Sequence, residues 1–171
     1  MSVTEGGTTV RSVLVWVCEG TWRASVDAAR KLAPSDARIT LLHVASAAAP
    51  DAAHAAYLGL LGRRQPRHDP GQKVAELADT AAGELLSAAA GRLGRPCDMV
   101  ERHGQAERVV VTAAADADLL IVARDGDQSR LGPKSLGKAT RFIVDHAPCP
   151  VLLVWPRTVP GIGTIPPPPV P

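Results

Sequence analysis

Between Arg124 and Phe142 the chain sets Gly126, Gly132 and Gly137 among basic residues, after an apolar run and before a helical pattern. Such a stretch can hold phosphate, because glycines let backbone N–H groups approach an anion and a helix start offers unpaired donors. Gly132-Pro-Lys-Ser-Leu-Gly137-Lys138 satisfies G-x-x-x-x-G-K, in which glycine amides cradle phosphates and the lysine reaches the outer ones. Two features oppose that reading. Ala139 stands where the pattern needs a hydroxyl for magnesium, and residues 124–131 separate the apolar run from Gly132, whereas such a loop begins where its strand ends. A weaker principle survives: a helix starting near Gly137 has orphan N–H groups and a positive dipole end, with Arg130, Lys134 and Lys138 close in sequence. These residues read either as an anion site without Walker geometry or as an ordinary solvated loop.

Other reactive side chains give bland readings. Cys18 has no basic neighbour in sequence to lower its pKa and reads as a small buried hydrophobe. Glu19 reads as a ribose-hydroxyl acceptor or as an exposed turn residue. His43, inside "TLLHVA", reads as a satisfied histidine in the core or at a sheet end; His54, His68, His103 and His146 form no ligand spacing. Cys18, Cys97 and Cys149 show no CxxC spacing, so reduced thiols are expected and no metal site. No carboxylate or histidine is placed to orient a water, so no catalytic residue is assigned, and slow ATP hydrolysis ranks below binding.

The elements that must position these residues alternate between strand and helix. Continuous apolar runs at Ser12 to Val17 and Ala117 to Ala123 read as strands covered on both faces, with further strands at Arg38 to Ala45, Cys97 to Arg102 and Pro150 to Trp155. Helical stripes appear at Trp22, Val26, Ala29 and Ala33; at Val74, Leu77, Ala81, Leu85 and Ala89 within a helix from about Gln72 to Gly91; over Gln105 to Ala115; and at Leu136, Thr140, Ile143, Val144 and Ala147. Ala47 to Gly71 reads as a short helix followed by a mobile loop. The alternation predicts an α/β fold with a mainly parallel sheet, whose ligand loops follow the first and fourth strands at Cys18 to Thr21 and Arg124 to Gly137.

With 171 residues, 46% of them hydrophobic and 21% charged, the chain suits a single domain with one core. The expected organisation is a disordered arm over 1–10, a folded domain over 11–156 and a disordered proline-rich tail over 157–171 that can form neither helix nor ladder. A net charge of +2, from 19 basic and 17 acidic residues, gives no field toward nucleic acid or an anionic membrane. "GRRQPRH" lacks the aromatic interleaving that stacks bases. The N-terminal residues lack a basic n-region and the first apolar run is too short to span a bilayer, so a soluble, cytoplasmic protein is expected.

"VLVWV" with its turn, "ARITLLHV", "HGQAERVVVTAAADADLLIVARDG" and "SLGKATRFIVDHAPCPVLLV" follow one another in an order and spacing that resembles the universal stress protein family, over almost all of Ser12 to Trp155. The resemblance implies a three-layer, doubly wound, five-stranded parallel sheet of order 3-2-1-4-5, of the adenine nucleotide alpha hydrolase-like type. It implies homodimerisation through the last strand and a regulatory or protective role. In one branch it implies ATP, with Mg2+ only alongside the nucleotide, held by G-x-x-G-x9-G-[ST]. On this pattern Ala123 stands at the first glycine, Gly126 at the second, Gly137 at the third with one residue too many before it, and Lys138 at the hydroxyl position. Cys18 or Glu19 stands where an aspartate meets the nucleoside, and Val44 matches the residue that packs near adenine. The implied nucleotide-binding set is thus Cys18, Glu19, Val44, Ala123, Arg124, Gly126, Gly137, Lys138, Ala139 and Thr140. The departures favour a second reading, in which the same fold has lost nucleotide and acts as a dimeric scaffold for an unknown protein partner that reads the tail.

Overall fold

The computed structural model describes residues 9–46, 55 and 70–167. The expected short helix and mobile loop between Ala47 and Gly71 lie outside the described residues except at Ala55, Pro70 and Gly71, as do positions 1–8 of the expected arm.

The elements run β1 (Ser12–Trp16), α1 (Trp22–Leu32), β2 (Arg38–Ala45), α2 (Pro70–Leu93), β3 (Asp98–His103), α3 (Ala106–Ala113), β4 (Leu119–Ala123), α4 (Lys138–His146) and β5 (Val151–Val154). The strands form one sheet in the order β3-β2-β1-β4-β5, and every neighbouring pair is parallel. The order reverses between β1 and β4, because the chain winds outward through β2 and β3 and then returns to the other side of β1. That reversal opens a crevice at the carboxyl ends of β1 and β4.

Side chains of β1 and of Val17, which follows it, alternate between two apolar layers. Val13, Val15 and Val17 pack with Trp22, Val26 and Ala29 of α1 and with Leu86, Ala89 and Leu93 of α2. Leu14 and Trp16 pack with Val110 of α3 and Ile143 of α4 on the opposite face. A strand sandwiched in this way must be apolar at consecutive positions, which is the run visible in the sequence. Each fully buried Val, Leu or Ile side chain contributes about 1.5–3 kcal/mol relative to an exposed one. Arg92 and Asp27 clamp α2 to α1 by two hydrogen bonds of 2.8 and 2.6 Å. Arg95 Nη2 donates to the carbonyls of Pro34, Ser35 and Ala37, satisfying the connection into β2.

Three sequence expectations differ from the structure. The buried stripe of α2 is Ala82, Leu86, Ala89 and Leu93, whereas Leu77, expected inside, is 63% exposed; in so alanine-rich a helix, apolar residues cover more than one face and the inner one is chosen by α1 and the sheet. The third strand begins at Asp98 rather than Cys97 and runs to His103, a one-residue shift that its pairing with β2 sets. In the tail, Ile162–Thr164 forms a 3-10 turn. This short segment carries no proline, and Thr164 Oγ1 donates to Gly161 O while accepting from the Leu131 N–H, which ties the turn to the β4–α4 loop.

Candidate functional site

Two loops meet at the crevice. After β1, Cys18 begins a tight turn in which its carbonyl accepts from the N–H groups of Thr21 and Trp22, and Gly20 takes φ +79°, a conformation that L side chains resist. After β4, residues 124–137 fold back on themselves. Gly126 N–H donates to Ser135 O and Asp127 N–H donates to Lys134 O, at 2.9 and 2.8 Å. A Cβ on Gly126 would lie 2.8 Å from the Ser135 carbonyl carbon and closer still to Lys134 O, so only glycine admits this fold-back.

At the start of α4, Asp125 Oδ1 accepts a 2.7 Å hydrogen bond from the Gly137 N–H. A Cβ built on Gly137 would lie 2.7–2.8 Å from all three terminal atoms of that carboxylate, which therefore rests directly on the bare Cα. This arrangement satisfies an orphan donor and sets a negative charge at the positive end of the helix dipole. Asp125 also reaches toward the first loop: burial pushes the Cys18 thiol up from its ordinary value and the Asp125 carboxylate adds to the shift. A thiol held protonated is a weak nucleophile.

The residues expected at the site occupy distinct places. Cys18 and Ala139 pack, partly buried, on the apolar layer that contains Val44. Glu19 and Lys138 are exposed. Ala123 is buried at the end of β4, and its carbonyl accepts from the hydroxyl of the buried Thr140 at 3.4 Å. Arg124 donates from Nη1 to Ser135 Oγ and lays its guanidinium over the Trp155 ring, 4.6 Å from the centroid. Arg130 donates to Asp127 at 3.0 Å, so its charge is engaged within the loop. His43 stands at a sheet end, with Nδ1 2.9 Å from Val17 O, a carbonyl that requires Nδ1 to carry the proton.

Sequence reasoning missed Asp125 and Trp16. The signal for Asp125 was present, since a carboxylate beside a glycine in a loop suited to an anion competes for the same donors. Trp16, 5% exposed, fills the layer that contains Val44.

A cavity of about 550 Å3 lies along the sheet face under α3, from Ser12, Arg38 and Asp116 at the amino ends of β1, β2 and β4 to Arg102 and Arg108 near the carboxyl end of β3, over an apolar floor of Leu14, Leu42 and Val100. Its lining includes none of residues 18–21, Gly126 or Gly137, the turns and helix start that meet at the crevice. The crevice is therefore the better candidate despite the cavity's volume.

A sequence model of the universal stress protein family matches residues 10–154. Among solved structures, a universal stress protein in complex with cAMP is 17% identical, with a TM-score of 0.59 over 88% of this chain and 100% of that one. A universal stress protein family protein from Arabidopsis thaliana with AMP bound is 21% identical, with a TM-score of 0.54 over 84% of this chain and 90% of that one. The universal stress protein UspA from Lactobacillus plantarum is 20% identical, with a TM-score of 0.56 over 86% and 99%. At these identities the likeness is one of fold. No curated protein matches.

Proposed function

The chain belongs to the universal stress protein family, and from that premise we propose that it binds an adenine nucleotide in the crevice between β1 and β4, in a regulatory or stress-response role rather than as a dedicated catalyst. The observation that carries this reading is the meeting of three features at the one place where the strand order reverses: the Cys18 to Thr21 turn, the Gly126 fold-back and the start of α4 at Gly137. The AMP and cAMP in proteins of the same fold support it. Adenine lies on the Val44 side, the ribose beside Cys18 and Glu19, and any phosphate toward Gly126 and residues 137–140. ATP is the nucleotide the family resemblance implies, and Mg2+ enters only with it. Among the described residues the one cluster of metal-ligating side chains, Asp79, Glu101 and His103, involves β3 rather than the crevice.

The same proposal includes a homodimer through β5. That strand is a sheet edge, and its four residues, Val151 to Val154, are apolar and only half-buried in the single chain. No helix among the described residues is long and apolar enough to cross a membrane.

Mass spectrometry of nucleotide released from freshly purified protein, with titration calorimetry against ATP and AMP, tests the binding. An adenine nucleotide at about one per chain is expected. Absence of released nucleotide together with absence of heat favours the scaffold reading, which Lys138 in the hydroxyl position and Asp125 on the Gly137 N–H also support.

A further inference from the structure

We infer that Asp125 determines which ligand the crevice accepts: its carboxylate occupies the anion seat at the start of α4, so the site takes the nucleoside part of a ligand and refuses a polyphosphate chain. This rests on the adenine-nucleotide reading above and specifies it.

The seat is filled from within. Asp125 Oδ1 lies 2.7 Å from the Gly137 nitrogen, and the carboxylate is pressed so closely on the Gly137 Cα that no second anion fits on the same side. One N–H donor cannot serve a carboxylate and a phosphate oxygen equally well, and two like charges at that separation repel. The fold-back contributes as well, because the Gly126 and Asp127 amides are engaged by Ser135 O and Lys134 O and offer no free donor to an anion. Arg124 and Arg130 are held by Ser135, Trp155 and Asp127, so neither compensates the Asp125 charge at α4. Phosphate binding at Gly137 therefore requires Asp125 to leave, and the cost rises with the charge of the entering group.

The geometry also sets the remedy. Asp125→Ala removes both the charge and the occupant. Asp125→Asn retains an oxygen for the Gly137 N–H and removes only the charge, so it separates electrostatic exclusion from steric filling.

The test uses sodium tripolyphosphate as a probe without adenine, followed through the Gly137 amide resonance, and in parallel calorimetry with adenosine, AMP and ATP. In the unaltered protein tripolyphosphate leaves Gly137 unshifted, and ATP binds more weakly than AMP. In Asp125→Ala, tripolyphosphate and ATP each bind about tenfold or more tightly than before, while adenosine changes less than about twofold. Asp125→Asn shows a smaller gain, and it carries the comparison if the alanine variant does not fold. Variants that fold but bind tripolyphosphate and ATP no better than the unaltered chain overturn the assignment, as does unaltered protein that takes ATP at Gly137 as tightly as AMP. A gain for tripolyphosphate in variants that bind neither adenosine nor AMP leaves the role of Asp125 standing and removes the nucleotide reading instead.

Discussion

The Asp118 carboxylate accepts hydrogen bonds from both the N–H and the hydroxyl of Ser12, at 2.9 and 3.1 Å. It thereby fastens the start of β1 to the residue that precedes β4, and the Arg11 N–H adds a third donor at 2.8 Å. Because β1 and β4 flank the crevice, this contact at their amino ends fixes the register with which their carboxyl ends arrive.

The same three donors favour the charged carboxylate and lower the Asp118 pKa below its ordinary 3.8. Its contribution to stability is therefore fully present above the unfolded value and is lost as pH falls through the folded one. Urea midpoints at pH 6 and pH 3 should show Asp118→Asn less stable than the unaltered chain at pH 6, with a smaller gap at pH 3. A gap of equal size at both pH values would falsify this account.

Asp127 gives a second acid titration. Its carboxylate accepts from the Ser129 N–H and hydroxyl and from Arg130, which lowers its pKa to about 2. The hold of Asp127 on the loop is therefore complete above pH 3.8 and fades as pH falls through about 2. Carbon-detected NMR of the Asp127 carboxyl should place its midpoint near 2, and Ser129→Ala should raise it.

Two glycine substitutions should move stability in opposite directions. Gly137→Ala drives a methyl group into the Asp125 carboxylate and should destabilise the chain by about 1–3 kcal/mol. Gly83→Ala lies in the exposed interior of α2 with nothing within 4 Å of the new methyl, and should stabilise it by about 0.5–1 kcal/mol. Chemical denaturation of both variants compares them, and a stable Gly137→Ala would mean that Asp125 does not rest on that Cα.

All three thiols should react slowly while the protein is folded. Burial raises the pKa of Cys18, Cys97 and Cys149, with the Asp125 carboxylate adding to the effect at Cys18. Alkylation with iodoacetamide at pH 8 should be slower than in urea at each site, and slowest at Cys18. Rapid labelling of Cys18 in the folded chain would show that the crevice is open to reagents.

Truncation separates the tail from the fold. A chain ending at Arg157 loses the Thr164 contact with Leu131 but keeps β5, so it should retain its circular dichroism and the mass of a dimer by light scattering. Loss of Pro150 to Trp155 should destroy both. A folded monomer from the shorter truncation would contradict dimerisation through the β5 edge.

The legible parts of the fold are those where chemistry repeats. Val13 to Val17 and Leu120 to Ala123 are buried on both sheet faces, so their apolar runs announced strands directly. The α2 helix was legible as a helix but not in its orientation, because alanines on several faces leave Leu77 and Leu86 equally plausible until α1 packs against one of them. The crevice was legible from topology, since Gly126 and Gly137 sit where strand order reverses. Asp125 was legible as a carboxylate that competes for the same donors, but the donor it takes was not, because that contact spans residues 126–136 and no periodicity encodes it.

The two rims of the sheet differ in character. The β3 rim carries Asp98, Glu101, Arg102 and His103, whereas β5 offers only valine and leucine. Two copies joined through β5 would leave charged β3 rims at both outer ends, whose charged side chains are costly to bury under a further strand. In the proposed dimer the sheet would grow once and then stop, the far rim guarding it from fibre growth while the near one is taken up by the second copy.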